Sequence, residues 1–507
     1  MSYALPQMAS PAVSVAAAGA TRRGPRPGWA LGVVLLVQTG LSARLTWTDT
    51  AYRDEAQYLR AGHLEWAHWL HHAPIPDFAA YFSGAPVGYP PLGALADSAG
   101  GLAAARLLSL AFMLGVTVLL WATTSRLYGR RAALLACGLF ATLAGTQFLG
   151  SLATVDAPAL FLLALATWLG VRAVTAPGPA RWTLGRVGLL TGAGLALAAA
   201  DGTRYATVLF TPVVIVVVGL AARRQARASL TSAGIVVAAW VVAVGGAVLA
   251  GGRAFWPGFR ASSLDPVAGS PVATMLRDAY IWTSLILVLA VLGVWLSARS
   301  RERGRFLPAV LLAAALLAPA VQAGLRSPAD LAENVVFGAW FAAVAAGYGL
   351  ARLSRVDRGY GWAVVMALPI GAATLFGSLG QAHTLHRSWP DATALIRVLR
   401  PAVAAHPGSY LAEDDDVPAY YLGSRVRWED WSGTGTRSYA AAITRHHFAL
   451  IVLDFGDTAA DDAQIAADVR QAGGYHVLAQ TGRFTVWADG GPAPAETLPV
   501  NGGGPSG

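Results

Sequence analysis

The chain has 507 residues, of which 55% are hydrophobic and 13% charged, and its mean hydropathy is +0.49. A soluble globular protein carries about a quarter charged residues, so this composition excludes an ordinary soluble enzyme, and the hydrophobicity excludes a disordered chain. The formal net charge is +9, yet all 37 basic residues are arginines, and most of them sit in short loops between apolar runs. Membrane topology explains that charge better than a nucleic-acid partner, and no nucleic acid is expected. The single cysteine, Cys137, lies in an apolar run, which excludes an internal disulfide and a cysteine-cluster metal site.

Residues 1–28 read as a cytoplasmic N-terminal tail, small and polar, with Arg22, Arg23 and Arg26 just ahead of the first apolar run. No small-residue cleavage site follows that run, so a retained anchor is expected. Eleven spans are predicted, near 29–45, 103–121, 132–149, 154–173, 187–203, 205–222, 230–250, 279–297, 306–324, 334–352 and 361–381. Prolines inside them, such as Pro212 and Pro308, are tolerable where neighbouring helices satisfy freed backbone groups. Alternate connecting segments hold nineteen arginines against two acids, Glu302 and Asp357. These are assigned to the cytoplasm. The loop 46–102, the segment 251–278 and everything after 381 then lie outside, in a multi-pass protein of the cell membrane.

The first external loop contains DTAYRDEAQYLRAGHLEWAHWLHH, in which residues 55–72 are predicted to form a helix. Tyr58, Trp66 and Trp69 suit the membrane interface. Asp54 and Glu55 follow the first span, and Asp156 opens the fourth within SLATVDAPALFLLALATWLG. Arg204 lies between the fifth and sixth spans, three residues after Asp201. Ionisable residues at membrane depth are functional candidates by default. Asp156 either stabilises a helix N-terminus or faces a polar cavity. Arg204 either pairs with Asp201 at a short turn or clamps an anion, since a guanidinium presents a fork that matches phosphate oxygens. Together these groups suit chemistry on a phosphorylated lipid, the acid taking a proton from an acceptor hydroxyl and the arginine stabilising the departing phosphate.

Residues 382–489 are expected to form an external α/β domain. FALIVLDF (448–455) and RFTVWAD (483–489) read as strands and DDAQIAADVRQAGG (461–474) as a helix. The tail 490–507 is Gly/Pro-rich and expected to be disordered. Glu413–Asp416 reads as a solvated acidic loop, or as a surface for a polyhydroxylated acceptor together with Tyr420, Tyr421, Trp428 and Trp431. The sequence lacks a phosphate-cradling glycine loop, a nucleotide fingerprint and HExxH. His63, His68, His71, His72 and Glu65 share a helix, and His68 and His72 are one turn apart, a spacing that can hold a metal. An interfacial helix rich in amphipathic rings explains them better, and no metal or cofactor is assigned.

RDEAQYL, YPPLGALADSAGGLAAARLLSLAF, RLYGRRAALLACGLFAT and SLATVDAPALFLLALATWLGVRA, in that order, resemble the GT-C superfamily of lipid-phosphate-sugar glycosyltransferases. The likeness is greatest to the protein mannosyltransferase branch, glycosyltransferase family 39, with the bacterial aminoarabinose transferases as relatives. It covers roughly residues 29–225, and more weakly ENVVFGAWFAAVAAGYGLARL (333–353). The resemblance implies a mainly α membrane protein in a GT-C-like arrangement. It implies an enzyme that moves a sugar from a polyprenyl-phosphate carrier to a protein, lipid or glycan acceptor, inverting the anomeric carbon. Asp54 matches the family's first-loop catalytic acid, the general base, and Glu55 is its neighbour in that motif. Asp156 matches the second acid, and Arg204 a basic position near the lipid phosphate. Where relatives commonly carry His-Pro-Pro, this chain has Tyr89-Pro90-Pro91, and it has no lysine for the phosphate. Tyr89, Tyr205 and Arg53 are therefore further substrate-binding candidates, with Arg253 and Arg260 also considered. Two rival readings are a transporter or flippase of lipid-linked sugars and a polymerase or ligase of diphosphate-linked glycans.

Overall fold

The computed structural model describes residues 28–176, 182–222, 226–251, 255–263, 271–299, 305–326, 330–356, 375–387, 389–433, 439–456 and 459–490. The expected N-terminal and C-terminal tails lie outside the described residues, apart from Gly28 and Gly490. The helices of the apolar part, in chain order, are α1 Gly28–Thr46, α2 Arg53–His71, α3 Tyr89–Tyr128, α4 Arg130–Thr142, α5 Ala144–Leu149, α6 Asp156–Thr175, α7 Leu184–Thr203, α8 Thr211–Ala221, α9 Ala226–Gly251, α10 Phe255–Ser263, α11 Val272–Ala298, α12 Leu307–Leu325 and α13 Leu331–Val356.

Among the described residues, eight helices are long and apolar enough to cross a membrane: α1, α3, α6, α7, α9, α11, α12 and α13. The other three predicted spans meet local breaks or lie elsewhere. Run 132–149 is divided at Leu143, whose ψ of 140° ends α4 before α5 begins. Run 205–222 starts as a 3₁₀ turn, Tyr205–Phe210, and only α8 is α-helical. Run 361–381 lies mostly outside the described residues. Helix α3 is 40 residues long and kinks at Gly100 and Gly101, where φ reaches 67° at Gly101. Only glycine takes that conformation readily, and the predicted span 103–121 is the part beyond the kink. Pro212 and Pro308 fall in the first turns of α8 and α12, where a missing N–H leaves nothing unpaired.

Helix α13 is the centre of the bundle. Residues 335 to 349 are all buried, which is what a helix apolar on every side requires. Its small residues let neighbours come close. A Cβ on Gly347 would lie 2.4 Å from the Ala132 carbonyl oxygen, and one on Gly349 2.9 Å from the Gly293 nitrogen. Trp340, Phe337 and Phe341 fill the remaining space.

After the helices comes a five-stranded sheet of order β2-β1-β3-β5-β4. Its strands are β1 Ser409–Ala412, β2 Trp431–Gly433, β3 Phe448–Asp454, β4 Tyr475–Thr481 and β5 Phe484–Asp489. β1 pairs in parallel with β2 and β3; β5 runs antiparallel to β3 and β4. The β4–β5 hairpin turns at Gly482, φ 59°, the left-handed geometry that tight hairpins need. The helices Thr393–Ala405 and Ala459–Ala472 accompany the sheet.

This mixed α/β unit is docked on α2. The run Glu413–Asp416, expected as a solvated loop, is instead engaged. Arg60 Nη1 lies 3.2 Å from Asp416 Oδ1, and Arg53 lies 3.8 Å from Asp414 and 3.9 Å from Asp416. Arg53 and Arg60 are two helical turns apart, so one face of α2 presents both. The expected sugar-facing aromatics are also committed. Tyr420 donates to Asp97 (2.7 Å), Tyr421 Oη accepts from the Ala51 N–H (2.8 Å), and Trp428 donates to the Pro74 carbonyl (3.1 Å). Trp431 is buried against Tyr410. Tyr58, expected at the interface, is buried with its hydroxyl 2.7 Å from Ser83 Oγ.

Candidate active site

Arg204 ends α7 in an extended conformation, φ −143° and ψ 116°. The first loop fixes that backbone: Ala85 N–H donates to the Gly202 carbonyl and Tyr205 N–H to the Ser83 carbonyl, both at 2.7 Å. The two strands of chain meet so closely that a Cβ on Gly84 would lie 2.0 Å from the Thr203 carbonyl oxygen. The Arg204 side chain is 4% exposed. One terminal nitrogen is in contact with Asp156 Oδ1, and the other lies 3.2 Å from Asp330 Oδ2. Its Nε has no partner among the described residues.

The neighbouring acid Asp201 does not take part. It accepts hydrogen bonds from Thr207 (2.7 Å), Thr211 (3.0 Å) and the Trp240 indole (2.8 Å). That overturns the reading of an Asp201–Arg204 pair at a short turn. Asp156 is the first residue of α6 and the acid of its first turn. It holds Arg204 and accepts from Thr154 Oγ1 at 2.8 Å.

Asp54 and Glu55 are adjacent on α2 and have different surroundings, because successive helical residues point about 100° apart. Glu55 is fully buried. Its Oε1 accepts from Arg106 Nε (2.8 Å) and the Ala153 N–H (2.7 Å); its Oε2 accepts from Arg106 Nη2 (2.7 Å) and the Tyr52 N–H (2.8 Å). Arg106 also donates to the carbonyls of Thr46, Thr48 and Thr50, each at 3.0 Å. Glu55 thus ties together the start of α2, the middle of α3 and the approach to α6. Asp54, half-buried, has no hydrogen-bond partner among the described residues. Burial, and next the charge of Asp330, push its carboxyl up to about 6, against the opposing pull of Arg53 and Arg204.

Two acids join the cluster that the motif reading did not single out. Asp330 pairs with Arg204, and Glu333, in the first turn of α13, is in electrostatic contact with Asp330, Arg204 and Asp54. Glu333 opens the weakly resembling segment 333–353, which was its only signal; Asp330 in its short loop gave none.

Of the remaining candidates, Arg53 acts on this cluster through its charge on Asp54, and its ion pairs are made elsewhere. Tyr89 is buried with Tyr58, Phe78, Phe82 and Val155. Tyr205 is buried with its ring 5.9 Å from Phe259. Arg53 is exposed and engages Asp414 and Asp416. Arg260 lies on α10, whose Gly258 abuts the Ala79 carbonyl, and Arg253 lies outside the described residues. His63 Nε2 is 2.6 Å from Asp97 and His68 Nδ1 2.8 Å from the Ala73 carbonyl, while His72 caps α2 in the left-handed region. Among the described residues no three His, Cys, Asp or Glu side chains are grouped to hold a metal.

Residues 95–245 match the family described as dolichyl-phosphate-mannose-protein mannosyltransferase. No curated protein matches the sequence. Solved structures match along nearly the whole chain. ArnT from Cupriavidus metallidurans in the apo state superposes with a TM-score of 0.59 at 16% identity, over 92% of this chain and 99% of that one. ArnT from the same organism bound to undecaprenyl phosphate gives 0.57 at 15%, with the same coverage. The oligosaccharyltransferase AglB from Archaeoglobus fulgidus, in complex with an inhibitory peptide and a dolichol-phosphate, gives 0.57 at 14%, over 94% of this chain and 75% of that one. The chain therefore has the GT-C glycosyltransferase fold.

Proposed function

We propose that this GT-C-fold membrane protein is a glycosyltransferase that moves a sugar from a polyprenyl-phosphate carrier to an acceptor hydroxyl with inversion. The observation that carries the reading is the grouping of a buried, twice-paired Arg204 with an unengaged Asp54. The ligands of the structural neighbours, undecaprenyl phosphate and dolichol-phosphate, support a lipid phosphate as the leaving group.

In this reading Asp54 takes the proton of the acceptor hydroxyl as its oxygen attacks the anomeric carbon. The bond from that carbon to the phosphate oxygen breaks on the opposite face, and the electron pair leaves with the polyprenyl phosphate. Arg204 stabilises the charge gathering on the phosphate oxygens, where a guanidinium in a water-poor site acts most strongly. Asp156 fixes the arginine. Glu55 does not meet substrate: its four N–H donors make it the residue that sets the pitch of α2 and so aims Asp54. Arg53, at the rim, is placed to meet the acceptor or the lipid head. The site lies on the extracytoplasmic side, facing the sheet domain, in accordance with the arginine-rich loops of the opposite side.

The test is conversion of labelled polyprenyl-phosphate sugars by the purified protein in lipid nanodiscs, with the product's anomeric configuration read by NMR. Inverted product is expected. Retained configuration rejects the one-base mechanism, and protein-dependent lipid translocation in vesicles without sugar transfer rejects the enzyme.

A further inference from the structure

Arg204 has two partners of different character. Asp156 is 6% exposed, at the start of a buried helix and held by Thr154. Asp330 is 49% exposed, in the short loop ahead of α13. Its backbone has φ 55°, a left-handed conformation uncommon outside glycine in which Asp is among the enriched residues. Its carbonyl accepts the Asn334 N–H at 2.9 Å, so the peptide is anchored while the carboxylate faces solvent. Asp156 compensates the charge of this buried guanidinium from one side, and Asp330 takes its Nη2 side. The cluster also has a surplus of acid. Asp54, Asp156, Asp330 and Glu333 surround a single buried arginine, and an arriving phosphate adds more negative charge.

We propose that Asp330 is a place-holder for the donor: it pairs with Nη2 of Arg204 and yields that position to a phosphate oxygen of the lipid. The inference rests on Arg204 as the phosphate contact. Asp156 stays, because it is buried and locked; Asp330 leaves, because water can take its carboxylate. Asp330 therefore sets the donor affinity by competition, keeping Arg204 oriented without a ligand and lowering the retention of the spent polyprenyl phosphate.

The experiment is equilibrium binding of undecaprenyl phosphate to the full chain in nanodiscs, for wild type, Asp330→Asn, Asp330→Ser, Arg204→Gln and the Arg204→Gln/Asp330→Asn pair. Both Asp330 variants are expected to bind roughly three- to tenfold more tightly, the range for one partly exposed ion pair. Arg204→Gln is expected to lose most of the affinity, and adding Asp330→Asn to it should restore none. Unchanged or weaker binding by both Asp330 variants, with Arg204→Gln still defective, overturns the place-holder and leaves the phosphate contact standing. Tighter binding from Asp330→Asn even without Arg204 also overturns it, since Asp330 would then repel the lipid in general. Wild-type affinity in Arg204→Gln removes the phosphate contact and the inference together.

Discussion

Glu55 and Arg106 form a two-pronged ion pair, with nitrogen–oxygen distances of 2.8 and 2.7 Å, between side chains that are 0% and 2% exposed. Removing one partner leaves the other charge buried and unpaired, which destabilises by about 3–5 kcal/mol. Glu55→Gln and Arg106→Ala are accordingly expected to lower the unfolding midpoint in detergent, while Asp54→Asn, which breaks no hydrogen bond, leaves it nearly unchanged. A differential scanning measurement on the three variants checks this. Equal loss from Asp54→Asn would show that the two neighbours share one structural role.

The transfer rate should follow the ionisation of Asp54. Its carboxyl is raised to about 6, and in the proposed role of general base it acts only when deprotonated. The rate constant kcat/KM should therefore rise about tenfold per pH unit below 6 and level off above it. Asp330 is one cause of the elevation, so Asp330→Asn should move the acid limb to lower pH. A limb that moves upward would contradict the placement of Asp330 beside Asp54.

Gly84→Ala probes the seam that fixes Arg204. The new methyl would sit 2.0 Å from the Thr203 carbonyl oxygen, so the chain carrying Arg204 must shift. A displacement near 1 Å at a catalytic group reduces rates on the order of 100-fold. The expected outcome is strongly impaired transfer with a correctly folded sheet domain, as judged by limited proteolysis.

Glu413 gives the sheet domain a pH dependence of its own. Burial, then a hydrogen bond with Asp462 and its charge, raise its carboxyl from the ordinary 4.5 to about 8. Between those values the unfolded chain ionises this group and the folded one does not, so stability falls as pH rises and levels off above about 8. Glu413→Gln should flatten that decline. Melting curves between pH 6 and 9 with identical slopes for wild type and variant would contradict it.

The apolar runs and the acids at span ends were legible in the sequence, because both are local patterns. The partners of those acids were not. Glu55 meets Arg106 across 51 residues, Arg204 meets Asp330 across 126, and Arg60 meets Asp416 across 356. Arg106 lies in a run that reads as apolar, and only the fold reveals that its charge is neutralised there. Asp330 looks like any acid in a short loop. The acidic run 413–416 has a solvated composition, and only the matching arginine face of α2 explains its engagement. Two predicted runs are broken at Leu143 and at Tyr205–Phe210, because hydropathy records apolar length, whereas a ψ of 140° or a 3₁₀ turn interrupts a helix without altering its hydropathy.

The most direct measurement is single-turnover sugar transfer from a polyprenyl-phosphate donor by wild type and by Asp54→Asn, with donor binding measured on the same samples. The expected result is transfer by wild type, a loss of about 100- to 10,000-fold in the variant, and donor binding that is not weakened. Equal transfer by the two proteins would contradict Asp54 as the base.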